Sequence, residues 1–143
     1  MNDVTVRVAA AATLLWLGMV LAISFLEAPL KFRAPGVDVR TGLAIGRLVF
    51  RALNAIEVGW AVVIVLALII HAPPSAAGTT AGILVVAVLA TQIGAVRPHL
   101  TRRAEQVLAG ADVPRSSIHH VYIVLETVKV IGLVVLSVAL LSG

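Results

Sequence analysis

The chain has 143 residues, of which 60% are hydrophobic and 13% are charged, and it carries a formal net charge of +4. Soluble domains are about half apolar and about a quarter charged, so a mean hydropathy of +1.07 indicates a protein whose surroundings are lipid. The absence of cysteine excludes disulfide bonds, thiolate metal sites, iron–sulfur clusters and thiol nucleophiles.

Four apolar runs follow one another along the chain, and each is about as long as a membrane span. A hydrocarbon core of about 30 Å requires about 20 helical residues, and backbone groups in lipid must be hydrogen-bonded within their own segment. We therefore predict an all-α protein, an integral membrane four-helix bundle that forms a single domain over residues 1–143. The predicted spans are approximately residues 8–28, 48–70, 79–96 and 118–141.

The basic residues are concentrated in the first and third of the connections between these spans. They are Lys31, Arg33, Arg40, Arg47 and Arg51 in the first connection, and Arg97, Arg102, Arg103 and Arg115 in the third. The middle connection has no Lys or Arg, and the N-terminal segment has only Arg7. Because cytoplasmic loops carry an excess of Lys and Arg, we predict a multi-pass cell-membrane protein with both basic loops in the cytoplasm and both termini outside. The same placement of charge predicts a lipid partner and no nucleic-acid partner.

Both basic connections also carry local helix signals. Thr41 can cap a helix that begins near Gly42 and runs into the second span. Residues 102–109 are predicted to form a short surface helix that ends at Gly110. Gly42 and Gly46 have the spacing of a helix-dimer motif, but they lie at a membrane edge, so we interpret them as packing within the chain.

The two halves of the chain resemble each other. Pro29 precedes Glu57 by 28 residues, and Pro98 precedes Glu126 by the same 28 residues. Each half is an apolar run, a proline, a basic loop and a span that contains a glutamate. One interpretation is a duplicated helical hairpin with two copies in the same orientation. The alternative is coincidence, because small apolar helices resemble one another.

Ionisable and amide side chains occur inside the predicted spans. A charge that faces lipid is costly, so such residues usually point into the bundle. We predict that they form a polar pocket open towards the cytoplasm, with Lys129 paired either with Glu126 or with Glu57 across the bundle. The predicted pocket residues are Glu57, Glu126, Lys129, Asn54, Gln92, Tyr122 and Glu27. The competing interpretation is an ion pair that only fixes how the helices pack.

Other site chemistry has weaker signals. Arg47, Arg51, Arg102 and Arg103 are predicted to contact anionic lipid at the cytoplasmic surface. His119 and His120 are the candidates for a metal site, but the Glu-x-x-His spacing of di-iron bundles is missing, so no metal is predicted. No phosphate-binding loop or nucleophile motif is visible, and we expect no cofactor.

One short motif resembles a known family. The segment Phe25-Leu26-Glu27-Ala28-Pro29-Leu30-Lys31-Phe32 closes the first span and precedes a glycine-containing entry to the second. It is similar to an "A-P-x-x-F" signature in small four-span bacterial membrane proteins related to the human transmembrane protein 205 group. The resemblance implies a four-span fold over most of the chain and implies no established biochemistry.

Three functions are compatible with these features. The first is a non-enzymatic membrane protein whose polar pocket binds or passes a small solute, an ion or a proton. The second is an accessory or assembly subunit with a purely structural polar core, and the third is a membrane enzyme acting on a lipid or quinone. Assembly into a homo-oligomer or a larger membrane complex is compatible with each.

Overall fold

A computed structural model describes residues 2–71, 75–111 and 117–143 of the chain. The first long helix, α1, covers Asn2–Val20 and continues without a break through a π-helical segment at Leu21–Glu27. It then ends with a helical turn at Ala28–Leu30 and a 3₁₀ turn at Lys31–Arg33. Apolar side chains dominate its length, as the prediction of a membrane span requires.

Three further helices complete the described part of the chain. Helix α2 covers Val39–Ile70, and helix α4 covers Ile118–Leu141. Helix α3 begins with Ala76–Thr91 and continues through a π-helical segment at Gln92–Val96 and an α-helical segment at Arg97–Leu108. Each of the four helices is long and apolar enough to cross a membrane. The prediction of an all-α four-helix bundle is therefore confirmed.

The helices extend beyond the predicted spans at the basic connections, and their caps explain why. The carboxylate of Asp38 accepts a hydrogen bond from the backbone N–H of Thr41, so α2 begins at Val39 instead of near Gly42. The predicted cap at Thr41 was wrong, because Asp38 is the cap and Thr41 is the third residue of the helix. The predicted surface helix is the last part of α3, and Gly110 follows it with a positive φ of 88°.

The four helices form a ring in which each one packs against two neighbours. Helix α1 lies between α2 and α4, and α3 lies between α4 and α2. Both basic connections lie at one end of the ring, which we call the basic end. There the guanidinium of Arg40 donates to the carbonyl of Leu108 at 2.6 Å, which joins the two connections. The opposite end, which we call the terminal end, carries both ends of the chain. Arg115 and residues 72–74 lie outside the described residues.

The core differs along the length of the bundle. Towards the terminal end it is apolar and contains small residues that allow helices to approach closely. A Cβ atom on Gly132 of α4 would lie 2.6 Å from Cγ2 of Val85 on α3, and one on Gly82 of α3 would lie 2.8 Å from Cδ1 of Leu68 on α2. Other core residues in this half include Ala9, Ala12, Ile64, Leu133, Leu136 and Leu140. Towards the basic end the core is polar.

Both π-helical segments precede a proline. A proline inside a helix lacks the N–H and its ring clashes with the carbonyl of the residue four positions earlier. For Pro29 and Pro98 those residues are Phe25 and Gly94, and each lies within a π-helical segment. A wider helical turn removes this conflict. The two segments overlap at the offset of 69 residues that relates Pro29 to Pro98.

The glycine pair at the start of α2 packs within the chain. Gly42 lies against the ring of Phe32, and Gly46 lies near the end of the Lys31 side chain. A side chain at Gly42 would meet the aromatic ring, so glycine allows the connection after α1 to fold closely over α2. This placement agrees with the interpretation of Gly42 and Gly46 as intramolecular packing.

Candidate functional site

Four of the predicted pocket residues meet in the interior of the bundle. Glu57 of α2, Gln92 of α3, and Glu126 and Lys129 of α4 are each at most 2% exposed. They lie about midway along their helices, and we call the part of the bundle from this level to the basic end the basic half and the remainder the terminal half. Side chains from three helices therefore converge on one point, as the cost of leaving them in lipid predicted. We call the hydrogen-bonded group around them the polar network.

Lys129 is the centre of the polar network. Its ammonium nitrogen lies 2.5 Å from Oε1 of Glu57, 2.8 Å from Oε1 of Gln92 and 3.1 Å from Oε2 of Glu126. A lysine ammonium has three N–H groups and no acceptor, so these three contacts use its full donor capacity. The sequence left open whether Lys129 pairs with Glu126 or with Glu57, and in the structure it contacts both.

Glu57 receives two further donors. The indole Nε1 of Trp16 on α1 donates to Oε1 of Glu57 at 2.9 Å. The amide of Asn54 is assigned with its nitrogen donating to Oε2 of Glu57 at 3.2 Å and its oxygen accepting from Nε of Arg97 at 2.9 Å. Asn54 therefore links a buried carboxylate to a guanidinium at the basic end.

Both carboxylate oxygens of Glu126 also accept hydrogen bonds. Its Oε1 accepts from the hydroxyl of Ser24 on α1 at 2.7 Å, and its Oε2 accepts from the amide nitrogen of Gln92 at 2.6 Å. Ser24 and Gln92 both belong to π-helical segments. All four helices thus contribute to the polar network, and two carboxylates face the two cations Lys129 and Arg97.

A rim of aromatic and cationic groups lies between the polar network and the basic end. The guanidinium of Arg97 lies 4.8 Å from the ring centre of Phe50 and 5.6 Å from that of Tyr122, within cation–π range. Tyr122 is 6% exposed, and its ring meets Phe50 edge-on at 5.8 Å. Among the described residues, Nη2 of Arg97 and the hydroxyl of Tyr122 are buried polar atoms without a hydrogen-bond partner.

Two predictions concern residues that lie away from the polar network. Glu27 is half-buried at the basic end of α1 and lies 3.5 Å from Lys31, four residues along. His119 and His120 pack edge-on against each other at 6.3 Å between ring centres. Within the described ranges, no group of three or more His, Asp or Glu side chains could hold a metal ion.

The arginines predicted to contact lipid lie at the basic end. Arg47 pairs with Glu105 of α3 at 3.1 Å, and both side chains are largely exposed. Arg51 and Arg102 are exposed, and Arg103 is half-buried. Exposed ion pairs contribute little to stability, so these residues leave the basic end strongly cationic without fixing the fold.

Three residues of this region were missed in the sequence. Trp16 lies in the middle of a run, whereas tryptophan usually marks the membrane interface, and that position was a usable signal. Arg97 directly follows the third apolar run and precedes Pro98, a position typical of a charge that only sets topology. Ser24 carries no comparable signal, because a single serine is common in apolar helices and can bond to its own backbone.

The polar network does not extend through the bundle. In the described core of the terminal half, the buried polar side chains are Thr13 and Ser137. Each donates at 2.7 Å to a carbonyl of its own helix, Ala9 and Leu133 respectively. Neither side chain joins the polar network. The hydrogen bonds of the polar network therefore extend from the basic end about halfway along the helices.

Comparisons with protein-family models, with curated proteins and with solved structures find no match for this chain. The family resemblance based on the segment Phe25–Phe32 therefore stays a prediction.

Proposed function

We propose that the chain is a multi-pass membrane protein that lies with its basic end in the cytoplasm. Four helices of spanning length support this placement, as does the convergence of both basic connections at one end of the bundle. Exposed side chains along the helices are mostly large and apolar, including Leu66, Ile69 and Ile83. Such surfaces are expected where a helix faces acyl chains.

Within that membrane protein, we propose that the polar network acts as an internal clasp that holds the four helices in one arrangement. The protein would then serve as a non-catalytic accessory or assembly subunit. The observation that carries this proposal is the environment of Lys129, which is 0% exposed and has an acceptor for each of its three N–H groups. A group with no free donor and no exposed surface is poorly suited to exchange a solute.

The energetics of buried charges agree with a clasp. Removing one partner of a buried ion pair leaves an uncompensated charge and costs about 3–5 kcal/mol, whereas replacing the whole set with apolar residues of similar volume is often tolerated. Removing one charged residue of the clasp is therefore expected to reduce stability more than removing all of its charged residues together. Its function is to specify which helix faces meet, as single buried polar residues do in other helical assemblies.

We also propose that the bundle is a duplicated hairpin. The related positions Pro29 and Pro98, the π-helical segments before them, and the inward-facing Glu57 and Glu126 support this interpretation. Under this proposal α1 corresponds to α3 and α2 to α4. The correspondence is not exact, because Lys129 then matches Trp60, so the clasp itself uses different residues in the two halves.

A combined replacement tests the clasp. In the triple variant Glu57→Leu, Glu126→Leu and Lys129→Met, every charge of the central network is removed at once. We expect this variant to stay folded in detergent micelles, by circular dichroism and size-exclusion chromatography, because neither a buried carboxylate nor the buried ammonium of Lys129 is left without its partner. The single variant Glu57→Leu is the matched comparison, and we expect it to be clearly less stable than the triple variant.

The same variants separate the clasp from a solute or proton pocket. A pH-sensitive dye inside proteoliposomes reports proton entry, and ion-selective dyes report Na⁺ and K⁺. If the wild-type protein carries one of these ions and the folded triple variant does not, the polar network is a transport site and the clasp proposal is wrong.

The pocket remains the second candidate function because of two atoms at the rim. Nη2 of Arg97 and the hydroxyl of Tyr122 are buried without partners in the described structure. Buried donors without a hydrogen-bond partner favour the binding of a ligand that carries an acceptor group and enters from the cytoplasmic side. We expect a Tyr122→Phe variant to leave folding intact and to weaken any such binding, which isothermal titration with candidate anions would measure.

A further inference from the structure

An apolar groove runs along the outside of the bundle between α2 and α3. It has a volume of about 420 Å³. The lining side chains are aliphatic, with no charged member. Representative residues are Val58, Val62 and Leu66 on α2, and Val86, Ala90 and Gly94 on α3.

Contacts between α2 and α3 close the groove at both ends. Beyond Leu66, the side chain of Leu68 packs over Gly82 towards the terminal end. Beyond Val58 and Gly94, Asn54 accepts a hydrogen bond from Nε of Arg97 towards the basic end. The groove is thus a gap of defined length, and its open side faces away from the core.

Two cationic residues lie beyond the basic end of the groove. Arg97 follows Gly94 by three residues and Arg51 precedes Val58 by seven residues, so they lie about one and about two helical turns beyond the groove, respectively. Arg51 is exposed, and Nη2 of Arg97 is buried without a hydrogen-bond partner in the described structure. A guanidinium with an unused N–H group is a good donor for a phosphate oxygen.

We propose that this groove binds one anionic phospholipid, with an acyl chain between α2 and α3 and the phosphate at Arg97 and Arg51. The apolar lining fits a hydrocarbon chain, and the two arginines fit a negative headgroup at one end only. The proposal rests on the membrane placement above but not on the clasp, because no residue that lines the groove belongs to the polar network; of the two arginines, Arg97 meets the polar network through Asn54 and Arg51 does not.

The groove runs in the direction that the chain of a lipid with its phosphate at the basic end would take. From Val58 to Leu66 it covers nine residues of α2, a rise of about 12 Å at 1.5 Å per residue. Arg51 lies about 10 Å nearer the basic end than Val58 on the same scale. A chain attached to a phosphate at Arg51 would therefore enter the groove at Val58 and continue along it past the middle of the bilayer, which lies about 15 Å from the edge of the hydrocarbon core.

Native mass spectrometry of the full chain in detergent tests the proposal. The probes are phosphatidylglycerol and phosphatidylcholine with identical acyl chains. We expect the wild-type protein to retain one phosphatidylglycerol at least about fivefold more strongly than phosphatidylcholine, since only the former carries a net negative charge. We also expect no displacement by soluble glycerol phosphate, because it lacks the chain that occupies the groove.

Two kinds of variant separate the groove from the arginines. Ala90→Phe fills the groove, and we expect it to lower retention of both lipids by about tenfold or more. Its matched control is Ala87→Phe, an exposed position on the same helix that does not line the groove, and it should retain lipid normally. Arg97→Gln and Arg51→Gln should reduce retention of phosphatidylglycerol to the level of phosphatidylcholine.

The proposal fails if the wild-type protein shows no preference between the two lipids, or if folded Ala90→Phe retains lipid as Ala87→Phe does. It also fails if glycerol phosphate displaces the lipid, because the arginines would then be a site for a free phosphate. A dimer in the mass spectra that Ala90→Phe disrupts would instead assign the groove to a second copy of this chain. Arg51→Gln keeps the headgroup part of the test valid if Arg97→Gln does not fold, because Arg51 is exposed.

Discussion

The basic half and the terminal half of the bundle hold the same four helices together by different means. In the basic half, hydrogen bonds from Trp16, Ser24, Gln92 and Lys129 connect the helices at fixed distances and angles. In the described part of the terminal half, glycine, alanine and aliphatic side chains pack against one another, and the buried Thr13 and Ser137 donate to carbonyls of their own helices. The basic half is therefore held together by directional hydrogen bonds, and the terminal half by close packing of apolar side chains.

This difference has a consequence for how each half responds to change. In the membrane placement that we propose, lipid is as apolar as the side chains of the terminal half, so association there depends on close fit rather than on the hydrophobic effect. The basic half depends on every charged group having its partner, because an unpaired charge away from water is expensive. Removing a polar group should therefore lower the free energy of unfolding most in the basic half. Adding an atom to the core should lower it most in the terminal half.

The largest expected effect is the loss of the ammonium group in Lys129→Met. The substitution leaves Glu57 and Glu126 buried without their common cation, and we expect a loss of about 3–5 kcal/mol in the free energy of unfolding. Unfolding in mixed micelles with increasing SDS, followed by circular dichroism, measures the change. Arg102→Met is the control, because Arg102 is exposed and its loss removes the same charge. Equal stability of the two variants would contradict the clasp.

The second effect concerns the fit of the terminal half. Gly132→Ala adds a Cβ atom 2.6 Å from Cγ2 of Val85, and valine is stiff at χ1, so we expect a loss of about 1–3 kcal/mol from overpacking. The control is Gly59→Ala, where nothing lies within 4 Å of the added atom. That variant should be stabilised by about 0.5–1 kcal/mol, since alanine favours a helix. If both variants unfold at the same SDS concentration, packing at Gly132 does not limit stability.

The smallest effect lies outside both halves, at the start of α2. The pKa of Asp38 is lowered because its carboxylate accepts a hydrogen bond from the backbone N–H of Thr41. Since the folded pKa is below the ordinary value of 3.8, the carboxylate stabilises the helix start above that pH. The contribution disappears as the pH falls through the folded pKa.

Asp38→Asn provides the comparison for this cap. An asparagine keeps a hydrogen-bond acceptor at the position but does not titrate. We expect hydrogen exchange at the N–H of Thr41 to become faster below pH 3.8 in the wild-type protein, relative to the general pH trend. The Asp38→Asn protein should follow the general trend alone, and the same acid-dependent change in both proteins would rule out this role of Asp38.

The fold was predictable because apolar length is a strong signal, and the centre of the polar network was predictable for a related reason. Glu57, Gln92, Glu126 and Lys129 interrupt apolar runs, and the cost of exposing such groups to lipid leaves the interior as their place. The sequence could not give their pairing. Whether Lys129 reaches Glu57 depends on which helices face each other, and helical period within one span does not contain that information.

The remaining residues of the site depend on local geometry that composition does not reveal. Ser24 reaches Glu126 from within a π-helical segment, where the usual helical phase does not apply. Glu27 was predicted to join the pocket but lies nearer Lys31, four residues along the same helix. A neighbour on the same turn is the simpler partner for a carboxylate near a helix end.

The wide turns before Pro29 and Pro98 change how this chain should be aligned with others. An α-helix rotates by about 100° per residue, and a π-helical turn accommodates one extra residue without breaking the helix. A homologue that lacks either proline could therefore have one residue fewer at that point and still present the same face to the bundle. Alignments should allow a single gap between residues 21 and 27 and between residues 92 and 96.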